Sequence, residues 1–197
     1  MENQSIIKSY LQSGAITLSK DSYKNARYID FVSKLLSCNK CALKASHPWP
    51  ASGNLDSKVM IVGEAPSPNR GSFENFNEKS KNIVDLLLKE INLSRNDVYI
   101  TNTIKCSFSK LTKDMKETLT KSCIDYLVQE IDIVHPKIVI ALGGTAERAL
   151  TYIKNYIRAD FILLHFPHPM TVFYGSIDLQ TYLKQVKKKW MLVKYLI

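Results

Sequence analysis

The chain is expected to fold as an α/β protein, a three-layer αβα sandwich around a central four-stranded, mainly parallel sheet. Two observations predict it. Four short runs rich in Val and Ile, "KVMIVGEA" (58–65), "VYITNTI" (98–104), "KIVIALGG" (137–144) and "FILLHF" (161–166), have the length and composition of buried strands. The segments between them carry apolar residues at helical spacing, so strand and helix alternate, and right-handed crossovers then place helices on both faces of the sheet. A length of 197 residues suits one core and is short for two, so a single domain over 1–197 is expected.

The elements follow in order. Residues 1–37 read as a helical segment, with Ile29, Val32, Leu35 and Leu36 leading into Cys38. After the first strand, Ile83, Val84, Leu87, Leu88 and Ile91 form one apolar stripe. After the second, Met115, Leu119, Ile124, Leu127, Val128 and Ile131 form another. A third helix starts near Thr145, behind Gly143-Gly144, and runs through Ala149, Leu150 and Ile153. The tail, 176–197, reads as a basic helix with Leu179, Tyr182, Leu183, Val186 and Trp190 inward. Lys184, Lys187, Lys188 and Lys189 fall elsewhere, as a solvated face or a phosphate-binding one. Ligands of such sheets bind beyond the carboxyl ends of the strands. That rule selects the loop after Ala65, the stretch Asn102 to Cys106, the Gly-Gly turn and "HFPHPMTVF" (165–173).

Lys and Arg number 27 against 18 Asp and Glu, a net charge of +9. An excess of that size favours a polyanionic partner, nucleic acid or an acidic membrane surface. The first thirty residues hold no apolar stretch of signal-peptide length, and no run of about 18 apolar residues occurs anywhere. The expectation is a cytoplasmic protein with no membrane association. Its four cysteines, Cys38, Cys41, Cys106 and Cys123, are then reduced thiols or metal ligands rather than disulfides. "CNKC" (38–41) offers two thiols from a single turn, while Cys106 and Cys123 arrive singly, after a strand and on a helix. Spacing alone leaves three readings open: unrelated free thiols, structural zinc, or an iron-sulfur cluster.

Six stretches in fixed order narrow these readings: "CNKC" (38–41), "VMIVGEAP" (59–66), "VYITNTIKC" (98–106), Cys123, "PKIVIALGGTAERAL" (136–150) and "HPM" (168–170). Together, from about Leu35 to Met170, they resemble the uracil-DNA glycosylase superfamily, and within it the iron-sulfur group called family 4. The resemblance implies a [4Fe-4S] cluster on Cys38, Cys41, Cys106 and Cys123. It also implies a monofunctional hydrolase, working in base-excision repair, that breaks the N-glycosidic bond of uracil or a related deaminated or modified base in DNA.

That reaction passes through a cation-like sugar and an anionic leaving base, and the base must first be flipped out of the stack. His168 matches the motif histidine, whose neutral imidazole donates a hydrogen bond to the uracil oxygen. Asn102 matches an asparagine whose amide tells uracil from cytosine. Phe76, with Phe73 as competitor, is the candidate stacking ring. Glu64 matches the acid of GEAPG, and the backbone at Ala65 and Pro66 would contact the base. His165 is expected to face the core, and His47 and His135 to lie in loops.

The departures lie close by. Where the family continues with an acidic pair, this chain reads Ser67-Pro68-Asn69-Arg70-Gly71, and the serine of the HPS motif is Met170. Asn69 remains a neutral group able to position water, and Arg70 is suited to a phosphate. Candidates for DNA contact are Arg70, Gly144, Thr145, Met170, Thr171 and Lys187, with Met170, Val172 or Phe173 as an apolar wedge and core packing the other reading of Val172. The expected partner is DNA, single- or double-stranded, bound by a monomer that also meets a replication or repair protein. The alternative is a glycosylase fold retained as a weakly active or inactive DNA-binding, replication-accessory module.

Overall fold

In a computed structural model, which describes residues 2–41, 48–68, 74–108 and 110–197, the four expected strands are present and a helix follows each. They are β3 (Val59–Gly63), β4 (Val98–Asn102), β5 (Ile138–Leu142) and β6 (Ile162–Phe166), all paired in parallel in the order β4-β3-β5-β6. Two short strands extend this core beyond β4: β2 (Ser52–Asn54) pairs antiparallel to it, and β1 (Ile16–Thr17) pairs parallel to β2. The sheet therefore has six strands rather than four. Segments of two and three residues carry too little alternation to announce themselves in a sequence; their pairing exists only once β4 offers an edge.

The helices form two outer layers, and alternation along the strands assigns each face its own core. On one side Met60, Val62, Tyr99, Val139 and Ala141 pack against α2 (Ser22–Leu36), α4 (Lys113–Val134) and α5 (Gly144–Tyr156), with α1 (Glu2–Gln12) outside α2. On the other, Val59, Ile61, Ile100, Ile138 and Ile140 pack against α3 (Glu78–Glu90) and α7 (Leu179–Trp190). The main helices start at side-chain caps: Asp21, Asn77, Thr112 and Asp178 each accept a backbone N–H of the first turn of α2, α3, α4 and α7.

Three helical expectations need adjustment. The N-terminal segment is two helices with β1 between them, and Ile29 lies on the outer side of α2, whose inward face is Tyr28, Phe31, Val32, Leu35 and Leu36. The tail helix begins at Leu179, where Asp178 caps it, and stops at Trp190; a 3-10 turn at Lys194–Leu196 follows. "HFPHPMTVF" contains a short helix, α6 (Pro169–Phe173), because Pro169 sits where a first helical residue needs no N–H donor and His168 caps it. His135 is the left-handed residue closing α4, as its loop assignment required.

Candidate active site

The carboxyl ends of β3, β4, β5 and β6 bring the quoted motifs to one edge of the sheet. Gly63 and Asn102 are direct partners at the last rung of the β3–β4 ladder. Pairing continues past it, since Thr103 N donates to Gly63 O at 2.9 Å and Ile104 N to Glu64 O at 2.8 Å. The "GEAP" turn is thereby tied to "TNTIKC".

Gly63 lacks a side chain where two others converge. A Cβ there would lie 2.5 Å from Asn102 Oδ1 and 2.8 Å from Phe76 Cε1, so any larger residue forces the pair apart. Asn102 is only 1% exposed, and its Nδ2 donates to Asn75 Oδ1 at 3.0 Å. Its Oδ1 is buried without a partner among the described residues. A buried amide oxygen left open in this way is an acceptor in want of a donor, since burial without a partner costs about 1–3 kcal/mol. It lies beside the buried Phe76 ring.

Glu64 stands next along the chain and is held from two helices. Thr145, in the first turn of α5, donates from Oγ1 to Glu64 Oε2 at 2.6 Å. Lys116, on α4, reaches Oε1 at 2.9 Å. Burial alone would raise the Glu64 carboxyl, but the bonds from Lys116 and Thr145, with the Lys116 charge and His168 nearby, outweigh it and hold the group below its ordinary range. Glu64 is therefore ionised near neutrality.

His168 closes the opposite side. Met170 N donates to its Nδ1 at 3.2 Å, which leaves Nε2 as the protonated nitrogen of a neutral ring. Burial pushes the imidazole below its ordinary value; Glu64 pulls the other way, and Lys116 adds to the lowering. Gly143 makes room for the ring: at φ 89 it adopts a conformation L side chains rarely hold, and a Cβ there would come within 3.1 Å of His168 Cβ. Its N–H donates to Phe166 O at 2.9 Å, tying the end of β5 to the end of β6.

Beneath this edge lies an ion pair the apolar stripes did not reveal. Glu130, in the middle of α4, is fully buried and paired with Lys105, which is 1% exposed. Tyr99 Oη and Thr101 Oγ1 donate to the same carboxylate at 3.0 and 2.8 Å. Lys105 Nζ also donates to Asn102 O at 2.7 Å, so the pair holds the main chain of the residue whose side chain faces Gly63. Lys116, Asn75 and Glu130 were all invisible to motif reading, because each acts through a contact distant in sequence.

The cysteines lie behind the same loops. Cys123, on α4, is buried with Ile104 and Leu119, and Cys41 and Ala65 pack against this cluster. Burial pushes the Cys123 thiol up, a bond involving the Lys105 backbone lowers it, and Cys38 and Cys41 are close enough to raise it further. Among the described residues no three His, Cys, Asp or Glu converge on a point suited to a single metal ion. The four cysteines would nonetheless supply an all-sulfur donor set, with neither carboxylate nor imidazole in it. That is the chemistry an iron-sulfur cluster takes from protein.

The remaining candidates are placed as follows. Pro66 is buried in the turn. Gly144 opens α5, and Thr171 Oγ1 donates to His168 O at 2.7 Å. Met170 is half-buried and Val172 packs on the core, whereas Phe173 is 46% exposed with Lys79 Nζ 4.0 Å from its ring centre. Lys187 is not brought to this edge: it pairs with Glu90 at 3.0 Å, at the end of α3 that leads into the start of β4. His165 is half-buried rather than core, with Nδ1 3.3 Å from Glu147, because its strand position turns it toward α5. Asn69, Arg70, Phe73 and His47 lie outside the described residues. A groove of about 730 Å³ between α4 and α5 opens beside Thr145 and Lys116, and Lys113, Lys121 and Arg148 line it.

A mostly parallel α/β sheet with these motifs at the carboxyl ends of its strands defines a class of protein, and the comparison with known proteins names it. Residues 50–196 match the family model of the Uracil DNA glycosylase superfamily. The chain belongs to that superfamily. It is 33% identical over 135 residues to a protein named type-4 uracil-DNA glycosylase from Archaeoglobus fulgidus, covering 67% of this chain and 66% of that one, just under two thirds of its length. A protein of the same name from Sulfurisphaera tokodaii is 29% identical over 177 residues, with 79% and 80% covered. A type-5 uracil-DNA glycosylase from Pyrobaculum aerophilum is 30% identical over 169 residues, with 68% and 74% covered.

Proposed function

We propose that this protein removes uracil from DNA by hydrolysing its N-glycosidic bond. The observation that carries the proposal is the buried, unpaired Asn102 Oδ1 beside Phe76 and Gly63. Uracil presents a ring N–H between two carbonyls, so a fixed acceptor at this point accepts from uracil and meets a lone pair in cytosine. The Phe76 face stacks on the flipped base. His168 Nε2–H donates to the uracil oxygen on which negative charge grows as the bond to the sugar breaks. Glu64, ionised, faces the sugar as it becomes cationic and orients the water whose oxygen bonds to the sugar carbon. The electron pair of the broken C–N bond leaves on the base as an anion, and the water's proton passes by way of the Glu64 carboxylate to solvent, from which the anion is later protonated.

Oligonucleotides carrying uracil, cytosine or hypoxanthine, incubated with the protein and then with alkali, test this. Strand breaks at uracil and none at cytosine are expected; no break at any of them overturns the proposal. A second reading, DNA binding without base release, rests on Lys116: the carboxylate meant for the sugar cation already holds a cation 2.9 Å away. It predicts retention of uracil-containing DNA with the base intact. Under either reading the α4–α5 groove carries the phosphate backbone. Replacing Lys113 and Arg148 together by alanine is expected to reduce the slope of log affinity against log salt by about 1.8, at about 0.9 per lost phosphate contact on duplex.

The acid side of the pH profile follows from His168. Its folded value lies below the ordinary 6.5, so the neutral ring persists into mild acid and takes up a proton only below that pH. Protonation removes the acceptor that Met170 N–H uses. Base release is expected to hold down to pH 6.5 and fall below it, and a limb centred above 6.5 would contradict the assignment. Stability runs the same way: His168 and Glu64 both bind protons less readily folded than unfolded, so their contribution is present above the ordinary values and lost as pH falls through the lowered ones.

The four cysteines are the proposed ligands of a [4Fe-4S] cluster, which would cross-link the end of α2, the segment after β4 and α4. Anaerobically prepared protein is expected to be brown, with iron and sulfide in equal amount. Cys123→Ser should lose both and melt at a lower temperature. Colourless wild-type protein without iron overturns this assignment.

A further inference from the structure

We infer that Asn75 is a positioning residue that sets which way round the Asn102 amide is held, and so sets the choice of uracil over cytosine. The inference rests on the proposed reading of Asn102 as the group that meets the base edge.

The reasoning is a chain of donors and acceptors. Asn75 is 1% exposed and lies immediately before Phe76, with its Nδ2 3.3 Å from Ile100 O and 3.2 Å from Ser52 Oγ. The Ile100 carbonyl can only accept, so Asn75 must present its NH2 group there. Its Oδ1 is then turned the other way, toward Asn102, 3.0 Å from Nδ2. An oxygen can only accept from that neighbour, so Asn102 in turn presents NH2 to Asn75, and Asn102 Oδ1 is left unpaired on the side of Phe76 and Gly63. A single main-chain carbonyl on β4 thus fixes two amides in sequence. Without Asn75, no other hydrogen bond of the Asn102 side chain among the described residues distinguishes its oxygen from its nitrogen. A half-turn about the last side-chain bond would then offer NH2 to the base edge, which suits the bare ring nitrogen of cytosine and opposes the N–H of uracil. Asn75 therefore belongs to base selection although it does not touch the base.

Excision kinetics on uracil DNA, together with inhibition by free uracil and free cytosine, test this on the full chain. The variants are Asn75→Ala, Asn75→Ser, Asn102→Ala and the double Asn75→Ala/Asn102→Ala. Asn75→Ala and Asn75→Ser are each expected to lower kcat/KM about tenfold, the size of one lost oriented hydrogen bond. The preference for free uracil over free cytosine as inhibitor should fall by a similar factor. In the Asn102→Ala background, Asn75→Ala should add less than twofold, because the group it orients is gone. If Asn102→Ala lowers both readouts while Asn75→Ala and Asn75→Ser leave them within twofold, the inference is overturned and the reading of Asn102 stands. If Asn102→Ala itself leaves both unchanged, the reading of the base edge fails and the inference with it. An Asn75→Ala loss undiminished in the double variant shows packing alone and also overturns it.

Discussion

Replacing His168 by alanine is expected to slow base release about 10²–10³-fold, the usual effect of removing one donor aimed at a developing anion. The loss should fall on kcat, since negative charge on the uracil oxygen exists only in the transition state. Alanine also removes the cap of α6, where His168 Nδ1 accepts from Met170 N. His168→Asn separates the two effects. Asparagine is among the best capping residues and can accept from Met170 N, but it does not reproduce the N–H at the position of Nε2. It should melt close to the wild type and be as slow as the alanine variant. A rate within tenfold of the wild type for both variants would remove His168 from the chemistry.

Removing Glu130 is expected to be the most damaging single change to the fold. Glu130→Ala leaves the Lys105 ammonium buried without a counter-charge and takes the acceptor from Tyr99 and Thr101. Breaking a buried pair from one side costs about 3–5 kcal/mol. The double change Lys105→Met/Glu130→Leu removes both charges and should recover part of that loss, since no uncompensated charge remains, although Tyr99 and Thr101 still lack their acceptor. Base release should nonetheless stay reduced in the double variant, since Lys105 also binds the main-chain oxygen of Asn102. Denaturant melts of Lys105→Met, Glu130→Leu and the double variant decide it. A double variant as unstable as either single would show that the pair itself, and not the uncompensated charge, carries the stability.

Much of the architecture was legible in the residues because it rests on local pattern. Each parallel strand is a continuous apolar run, since it is covered on both faces, and each helix carries one stripe for the single face it buries. The expected ranges of β3, β4, β5 and β6 end within a few residues of the observed strands. Prediction failed where pairing is made elsewhere. β1 and β2 exist only by pairing at the β4 edge, and Ile29 belongs outside because Tyr28 and Phe31 present larger rings inward.

The site divides in the same way. Sequence by itself singled out the candidates that sit at strand ends or immediately after them, Glu64, Asn102 and His168, because a motif travels with its own backbone, and it pointed to Phe76 and the four cysteines by order and residue type. It could not determine how those members are held. Lys116 meets Glu64 from α4, Thr145 meets it from α5, Asn75 meets Asn102 from the segment before α3, and Glu130 meets Lys105 from the middle of α4. Donor sense, protonation and burial are properties of those long-range contacts, so only the tertiary structure decided that the Asn102 amide keeps its oxygen unpaired and that His168 accepts at Nδ1.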